Sequence, residues 1–433
     1  MNKPAHRDGP ASATRITIGL IDDALSALTS LLDFSYPADA VLSRFFREHK
    51  SLGPRERAFI AESVYTVLRR KRSLEKLCSR DGERVTPRKL FLASLVRYQG
   101  MSQRQLGDVL KSKELDWIAT IKGSPEEAFS PAEQADFPDW LVEKLQLDDE
   151  DLLALARGLN QSAPLDLRVN TLKANRDDVL ARLQAEGIEA EATPYAPLGI
   201  RLKGKPSLAR HPLFLDGTFE VQDEGSQLLG HLLAPKRGEM VADFCAGAGG
   251  KTLLLGALMR STGRLYAFDV SEKRLAKLKP RAARSGLSNI HPAVISNEQD
   301  QRIKRLAGKL DRVLVDAPCS GLGTLRRNPD LKWRQSPESV AELTAKQAAI
   351  LAAAARLVKV GGRLVYATCS LLAEENSAIV NDFLARHPEF HRVSCREVLS
   401  KQNISLDTGE DLKLLPHLHG TDGFYAAVLE RTA

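Results

Sequence analysis

Two cysteines in this chain stand where a thiol could be reactive. Cys319 follows the apolar run 313–315 and the tripeptide Asp-Ala-Pro, and Cys369 comes two residues after the β-rich run 363–367. Proline cannot continue a strand ladder, so Cys319 falls in the loop at the carboxyl end of a strand. Ligands of open α/β sheets bind at that edge, so we expect the two thiols to share one cleft.

A glycine-rich turn over residues 243–252 follows another apolar strand and opens a helix. A phosphate-binding P-loop would require glycine at position 245, where cysteine stands. The turn suits a nucleotide cofactor better, because Asp269 ends the next strand and could accept two ribose hydroxyls. We therefore predict an adenosyl cofactor, with a purely structural turn as the alternative.

A thiol beside an adenosyl cofactor suits methyl transfer to a pyrimidine. The C5 carbon of cytosine becomes nucleophilic when a thiolate adds to C6, and a base must later remove the C5 proton. One of the two cysteines could add and the other could act as that base, while Asp316 could hold the N3 and N4 edge of the ring. Each cysteine taken alone also fits an inert buried thiol. We expect Cys245 to be a packing residue and assign no role to Cys78 or Cys395.

The elements that would position these residues alternate as strand and helix from Gly238 onward, which predicts a parallel sheet with right-handed crossovers. The predicted strands are 240–244, 264–268, 292–295, 312–316 and 363–367, with 390–394 and 424–430 finishing the sheet. The fold class is therefore α/β, with a Rossmann-like catalytic domain over 236–433.

A small α/β subdomain is predicted over residues 160–235. It should contain strands at 165–170, 188–192, 199–203 and 219–222, and helices at 176–186 and 224–233.

Residues 16–155 are predicted to be helical, after a loose tail over 1–15. Apolar residues recur at helical spacing on one face: Ile60, Val64, Val67, Leu68 and Leu74. Between Arg44 and Lys89 the chain has fourteen Lys and Arg residues against six acids. We favour a phosphate-binding surface for this run, and the alternative is a solvated helix face.

The composition sets limits on the class of protein. The chain has 433 residues, a net charge of +7, and no apolar run near the roughly 20 residues that span a bilayer. It also begins without an apolar signal segment, so we expect a cytoplasmic protein with no membrane partner. Its five cysteines include no Cys-x-x-Cys pair, and only His417 and His419 lie close together, so we expect neither a disulfide framework nor a metal site. We expect a monomer.

Several motifs resemble those of the RNA cytosine-5 methyltransferases, most of all the Sun or Fmu type that acts on bacterial 16S ribosomal RNA. The two most specific are Asp-Ala-Pro-Cys-Ser-Gly at 316–321 and Thr-Cys-Ser at 368–370. Weaker matches occur at 168–173, 221–226 and 422–425. The helical region resembles the NusB-like RNA-binding domain of the same type.

The resemblance implies roles for individual residues. Cys369 would be the nucleophile, Cys319 would assist product release, and Lys251 would lie near the cytosine. The cofactor would be S-adenosyl-L-methionine, held by Asp269, by Asp316 and by the turn Cys245, Ala246, Gly247, Ala248, Gly249, Gly250 and Lys251.

Two departures from the family pattern bear on the cofactor. The usual turn reads Cys-Ala-Ala-Pro-Gly-Gly-Lys, whereas this chain has Gly247 and Ala248 in the middle. An acid commonly follows the third strand and binds the adenine amino group, whereas this chain has Ser-Asn-Glu at 296–298. We expect Asn297 to accept that hydrogen bond through its carbonyl oxygen.

The sequence therefore predicts methylation of C5 of a cytosine in RNA, with 16S ribosomal RNA as the expected substrate. Transfer RNA or large-subunit ribosomal RNA is the alternative substrate. A non-catalytic RNA-binding assembly factor is the alternative from another class, although the retained thiols, Lys251 and Asp316 favour the enzyme.

Overall fold

The computed structural model describes residues 15–79, 84–124 and 129–432. The chain forms two compact units. The helical unit contains the residues up to Glu143, Leu147–Ala156 and Asn328–Arg334, and the α/β unit contains Lys144–Gln146, Arg157–Arg327 and the chain from Gln335 onward. Asn328–Arg334 thus differs from the predicted division, which assigned it to 236–433.

The helical character of the first unit was predicted correctly, and so was the buried face that α3 and α4 present. Within the described residues they are α1 Ile18–Leu31, α2 Ala38–Glu48, α3 Pro54–Arg69, α4 Lys71–Cys78, α5 Pro87–Arg97, α6 Gln103–Leu106, α7 Ser112–Lys122, α8 Pro131–Ala135, α9 Asp139–Leu145 and α10 Asp149–Leu159. Helix α3 begins at Pro54, and the Glu56 side chain accepts the Gly53 N–H at 2.6 Å, which satisfies a free donor at that terminus. All five apolar residues of the predicted face are fully buried.

The basic run of the helical unit divides into two parts. Arg70, between α3 and α4, pairs with Asp136, and Arg72 of α4 pairs with Asp139, the first residue of α9, so part of the predicted basic cluster is engaged in ion pairs within the helical unit. Six cations of the described part of the run are exposed; Arg44, Arg47 and Lys50 lie in or just after α2, and the others are Arg55, Lys76 and Arg84. Three charged residues of the run, Arg80, Asp81 and Glu83, lie outside the described residues.

The α/β unit opens with a four-stranded antiparallel sheet, as predicted for residues 160–235. Its elements are β1 Leu165–Val169, α11 Arg176–Ala185, β2 Ala190–Ala192, β3 Gly199–Leu202, α12 Pro212–Leu215, β4 Phe219–Val221 and α13 Glu224–Leu233. The strand order is β2-β3-β1-β4. Leu167, Ile200 and Phe219 are fully buried and belong to the core of this sheet.

The second sheet has eight strands. Its elements are β5 Met240–Asp243, α14 Gly250–Leu258, β6 Arg264–Asp269, α15 Glu272–Leu275, α16 Leu278–Arg284, β7 Ile290–Val294, α17 Gln301–Lys304, β8 Leu310–Asp316, α18 Leu331–Arg334, α19 Pro337–Ala355, β9 Val358–Thr368, α20 Ser377–Arg386, β10 Phe390–Val393, α21 Cys395–Ser400, β11 Leu412–Leu414, α22 Pro416–His419 and β12 Phe424–Arg431. Helix α18 belongs to the helical unit. Strand β11, which was not predicted, pairs with β12 outside the main strand order.

The strand order β10-β12-β9-β8-β5-β6-β7 confirms the Rossmann-like fold class. Strands β5 to β9 are parallel, and β12 joins β9 antiparallel. The chain winds outward from β5 through β6 to β7, and then returns to the other side of β5 at β8. Such a switch point leaves a crevice at the carboxyl ends of β5 and β8, which is where ligands bind in this kind of sheet.

Candidate active site

A cavity of about 430 Å³ lies at this crevice. It is lined by residues that follow β5, β6, β8 and β9, among them Asp269, Asp316, Cys319 and Cys369. The neighbouring strands β8 and β9 pair Asp316 with Ala367, which brings the two cysteine loops to one edge. The predicted sharing of one cleft by the two thiols is confirmed.

The two thiols are in direct contact. The Sγ atoms of Cys319 and Cys369 lie 3.4 Å apart, within hydrogen-bond range for sulfur. This hydrogen bond, followed by burial and by the charges of Cys369 and Glu375, raises the pKa of Cys319 well above its ordinary value. The environment therefore keeps Cys319 protonated, with Cys369 as its hydrogen-bond partner.

Lys251 and Asp316 form an ion pair beside the thiols. Lys251 Nζ lies 2.7 Å from Asp316 Oδ2 and 5.8 Å from the ring centre of Phe424. Burial alone would lower the pKa of Lys251, but the charge and hydrogen bond of Asp316, together with the charge of Cys369, raise it. Lys251 is therefore a fixed cation near Cys369, and a cation favours the thiolate form of a cysteine.

The glycine-rich turn surrounds one end of the cavity. Cys245, Ala246, Gly247, Ala248, Gly250 and Lys251 line it. Gly249 does not; it has a φ of 87°, and a Cβ there would lie 2.2 Å from Leu278 Cδ1. Glycine at 249 is thus required by the backbone conformation and by packing. In the same turn, burial and the nearby charge of Asp243 raise the pKa of Cys245, so this thiol stays protonated.

Asp269 is held by backbone donors at the end of β6. Its Oδ2 accepts the Gly247 N–H at 2.8 Å, and its Oδ1 accepts the Ser271 N–H at 2.7 Å and Arg274 Nη2 at 2.9 Å. A carboxylate oxygen accepts about two hydrogen bonds, so Oδ2 retains room for one donor from the cavity. Oδ1 gains room only if Arg274, whose side chain is 58% exposed, moves away.

Asn297 does not line the cavity. Its side chain is exposed, and its Oδ1 accepts the backbone N–H of Gln299 at 2.8 Å, so the amide closes a local turn. The adjacent Glu298 lines the cavity instead, together with Ile295 and Val270. The expectation that Asn297 faces the cofactor is not met by this geometry.

A family model described as 16S rRNA methyltransferase RsmB/F matches residues 230–430, and one described as the ferredoxin-like domain of RsmF/B-like methyltransferases matches residues 137–209. A probable ribosomal RNA small subunit methyltransferase B from Synechocystis sp. is 34% identical over 429 residues, covering 91% of this chain and 95% of the relative. The chain belongs to the RsmB/F family of methyltransferases. The resemblance predicted from the motifs is confirmed.

Other relatives of this RsmB/F member cover between 72% and 96% of the chain. A probable ribosomal RNA small subunit methyltransferase B from Bacillus subtilis is 29% identical and covers 95% of this chain and 98% of the relative. The crystal structure of PH0851 is 27% identical, with a TM-score of 0.77 and coverage of 96% of this chain and 99% of that one. A methyltransferase homologue from Pyrococcus horikoshii is 28% identical, with a TM-score of 0.61 and coverage of 72% and 100%.

Besides Glu298, the polar residues at the site of this RsmB/F member that sequence reasoning missed include Asp243, Gln222 and Ser226. Asp243 lines the cavity; its Oδ2 accepts Thr252 Oγ1 at 2.7 Å, while its Oδ1 is buried with no hydrogen-bond partner within the described ranges. Gln222 and Ser226 also line the cavity. They lie within the quoted motif 221–226, which was the available signal.

Gln222 is oriented by a buried guanidinium. Arg168 Nη1 donates to Gln222 Oε1 and, at 2.7 Å, to the Gly250 carbonyl, while Gln222 Nε2 donates to Ser226 Oγ at 3.1 Å. This arrangement turns the amide nitrogen of Gln222 toward Ser226.

Other polar features bear on what the site can hold. The described residues contain no cluster of three or more His, Cys, Asp or Glu side chains arranged to hold a metal ion. Cys78 and Cys395 are buried, and burial raises the pKa of each to about 12.

None of the helices in the described ranges has the length and apolar character needed to cross a bilayer.

Proposed function

We propose that this protein transfers a methyl group from S-adenosyl-L-methionine to C5 of a cytosine in small-subunit ribosomal RNA, through a covalent bond between Cys369 and C6. The contact of 3.4 Å between the two thiols at the carboxyl ends of β8 and β9 carries the proposal. Membership of the RsmB/F family supports methyl transfer, and the names of its relatives support small-subunit ribosomal RNA as the substrate.

The cavity residues fit the proposed cofactor. The unpartnered Oδ1 of Asp243 offers an acceptor to the methionine ammonium, and Oδ2 of Asp269 offers one to a ribose hydroxyl. We assign the adenine amino group to Glu298 in place of Asn297, because Glu298 lines the cavity. When bound, S-adenosylmethionine supplies an electrophilic methyl group.

Cys369 begins the proposed reaction as a thiolate, its proton having passed to solvent. Lys251 stabilises the anion, and Asp316 holds the N4 amino edge of the base. The Cys369 sulfur bonds to C6, and the displaced electron pair makes C5 the nucleophile that takes up the methyl group.

Cys319 completes the proposed reaction. The hydrogen bond and charge that raise its pKa come mainly from Cys369, and both disappear when the Cys369 sulfur is bonded to C6. Cys319 then releases its proton to water and removes the proton from C5. The electron pair of that C–H bond restores the C5–C6 double bond and expels Cys369 as a thiolate.

We further propose that the helical unit binds RNA phosphates through the exposed cations of α2 and the following turn, in the manner of a NusB-like domain. The compartment of the proposed reaction is the cytoplasm, and the proposed enzyme is a monomer without a metal.

The test is incubation with S-adenosylmethionine carrying a labelled methyl group and, in separate reactions, unmethylated 16S RNA, 23S RNA or transfer RNA. Nucleoside mass spectrometry should find labelled 5-methylcytidine in 16S RNA alone. Label in another nucleoside, or in none of the RNAs, would contradict the proposal. Label only in transfer RNA or 23S RNA would show that the substrate is the alternative one and not 16S RNA.

A further inference from the structure

A buried carboxylate lies behind the two cysteine loops and takes no part in the chemistry described above. Glu375 ends a short 3₁₀ helix, Ala373–Glu375, and is fully buried. Its backbone carbonyl accepts the hydroxyl of Tyr366 at 2.7 Å. Burial of a carboxylate is unfavourable unless hydrogen bonds compensate, so its partners indicate what it is for.

The carboxylate of Glu375 joins both cysteine loops. Its Oε1 accepts the Ser320 backbone N–H at 2.8 Å, and its Oε2 accepts Ser320 Oγ at 2.5 Å and also the hydroxyl of Ser370. Ser320 directly follows Cys319, and Ser370 directly follows Cys369. One side chain therefore fixes the residue next to each thiol.

A third element reinforces the same arrangement. Gln347 Nε2, on α19, donates to Glu375 Oε1 at 2.9 Å and to the Pro318 carbonyl at 2.9 Å. The neighbouring Asn376 donates to the Ser370 carbonyl at 3.0 Å. The backbone on both sides of Cys319 and after Cys369 is thus tied to the segment 375–376.

The charge of Glu375 acts on Cys319. All the donors named above are neutral groups. That charge is among the causes that raise the pKa of Cys319, after the Cys369 hydrogen bond, burial and the charge of Cys369. The other charged or titratable groups around the thiols are Tyr366 on β9, Asp316 after β8, Lys251 on α14 and Lys346 on α19.

We propose that Glu375 is a positioning residue that holds the two thiols at reacting distance, and that its charge adds to the effect of Cys369 in keeping Cys319 protonated before Cys369 bonds to the base. The inference rests on the proposed function for its catalytic meaning. Its physical content is the protonation of Cys319, which can be measured without cofactor or RNA.

The test compares Glu375→Gln with Glu374→Gln in the full-length protein. Glutamine keeps the shape, still accepts at one oxygen and can donate to the serine hydroxyls, but it lacks the charge. The control residue Glu374 is also a glutamate and is adjacent; within the described part of the chain its side chain pairs with Lys144 and makes no hydrogen bond to the cysteine loops. The readout is the rate of Cys319 alkylation by iodoacetamide against pH, followed by peptide mass spectrometry.

We expect the Glu375→Gln midpoint for Cys319 to fall by about one pH unit, a tenfold gain in alkylation rate below the midpoint, and the Glu374→Gln midpoint to stay at the wild-type value. We also expect Glu375→Gln to lower kcat with little change in cofactor affinity. An unchanged Cys319 midpoint in folded Glu375→Gln would overturn the proposal.

A second variant covers the case in which Glu375→Gln fails to fold. Ser370→Ala removes the hydrogen bond from Ser370 to Glu375 and leaves the Glu375 carboxylate in place, so turnover should fall while the Cys319 midpoint stays unchanged. Turnover at the wild-type rate would contradict the positioning role. Failure of the proposed function would appear differently, as the absence of RNA methylation by the wild-type protein.

Discussion

The carboxylate of Asp243 predicts how cofactor binding depends on pH. Burial raises the pKa of Asp243 to about 6, with the charge of Asp316 adding to the effect and the Thr252 hydrogen bond opposing it. Its carboxylate forms an ion pair with the methionine ammonium only when the group is ionised, and the neutral carboxyl is a much weaker acceptor. One pH unit below the pKa about one carboxyl in eleven is ionised, so affinity at pH 5 should be about tenfold weaker than at neutral pH.

The same shift predicts the stability of the cofactor-free protein. The folded pKa lies above the unfolded value of 3.8, so the contribution of Asp243 is fully present below pH 3.8 and is lost as the pH rises through about 6. The loss corresponds to about two pKa units, roughly 3 kcal/mol at most. Asp243→Asn should therefore raise the cofactor-free Tm at pH 8 and lose this advantage near pH 4.

Calorimetry of S-adenosylmethionine binding between pH 5 and pH 8 tests the argument. Wild-type affinity should fall at the acidic end, while Asp243→Asn should bind more weakly at pH 8 and show a flat profile. The same tenfold fall in both proteins would show that another group is responsible, and the role assigned to Asp243 would be refuted.

Three further predictions concern separate parts of the molecule. Glu298→Gln should weaken cofactor binding several-fold, because a charged acceptor makes a hydrogen bond roughly twice as strong as a neutral one, whereas Asn297→Ala should leave calorimetric affinity unchanged. The exposed cations around the end of α2 are Arg44, Arg47 and Lys50. If all three contact phosphates, replacing them by alanine should reduce the slope of log K for RNA binding against log salt concentration by roughly 2. Lys332→Ala should destabilise the helical unit by about 3–5 kcal/mol in denaturant unfolding, since it leaves the charge of buried Asp136 less compensated, whereas Lys359→Ala should leave the stability close to the wild-type value because its ion pair is exposed.

Each of these has a clear contrary result. Equal losses of affinity in the two loop variants would remove the adenine assignment from Glu298, and an unchanged salt slope would mean that the α2 cations do not contact RNA. The Lys332 measurement is selective because the helical unit holds every tryptophan of the chain, at positions 117, 140 and 333. Unchanged tryptophan unfolding in Lys332→Ala would contradict the compensation of the Asp136 charge by Lys332.

The sequence alone predicted those parts of the fold and the site whose signal lies in a few consecutive residues. β-branched runs ended by Asp-Ala-Pro or preceded by glycines located the strands β8 and β9, and the alternation of strands and helices then predicted their adjacency. The turn at 243–252 was recognisable for the same reason, since positive φ angles favour glycine at Gly247 and Gly249, and the Leu278 contact excludes a side chain at Gly249.

The remaining features depend on contacts between distant segments. Lys332 is buried near Asp136 and donates to the carbonyl of Arg69, and no local pattern connects these positions. The same holds for Glu375, whose partners come from three segments of the chain. In the loop after β7, the residue predicted to face the cofactor differs by one position from the residue that lines the cavity. The side chain of Asn297 accepts a hydrogen bond from the backbone of its own loop and points outward, while Glu298 lines the cavity.

The covalent step is the central claim, and a denaturing gel tests it most directly. Wild type, Cys319→Ala, Cys369→Ala and the double variant would each be incubated with labelled 16S RNA and S-adenosylmethionine. Cys319→Ala should bond to the base, transfer the methyl group and then fail to release, so that a protein–RNA adduct accumulates, while both variants lacking Cys369 should give none. Adduct from Cys369→Ala and none from Cys319→Ala would make Cys319 the nucleophile, and adduct from neither would contradict the two-thiol mechanism.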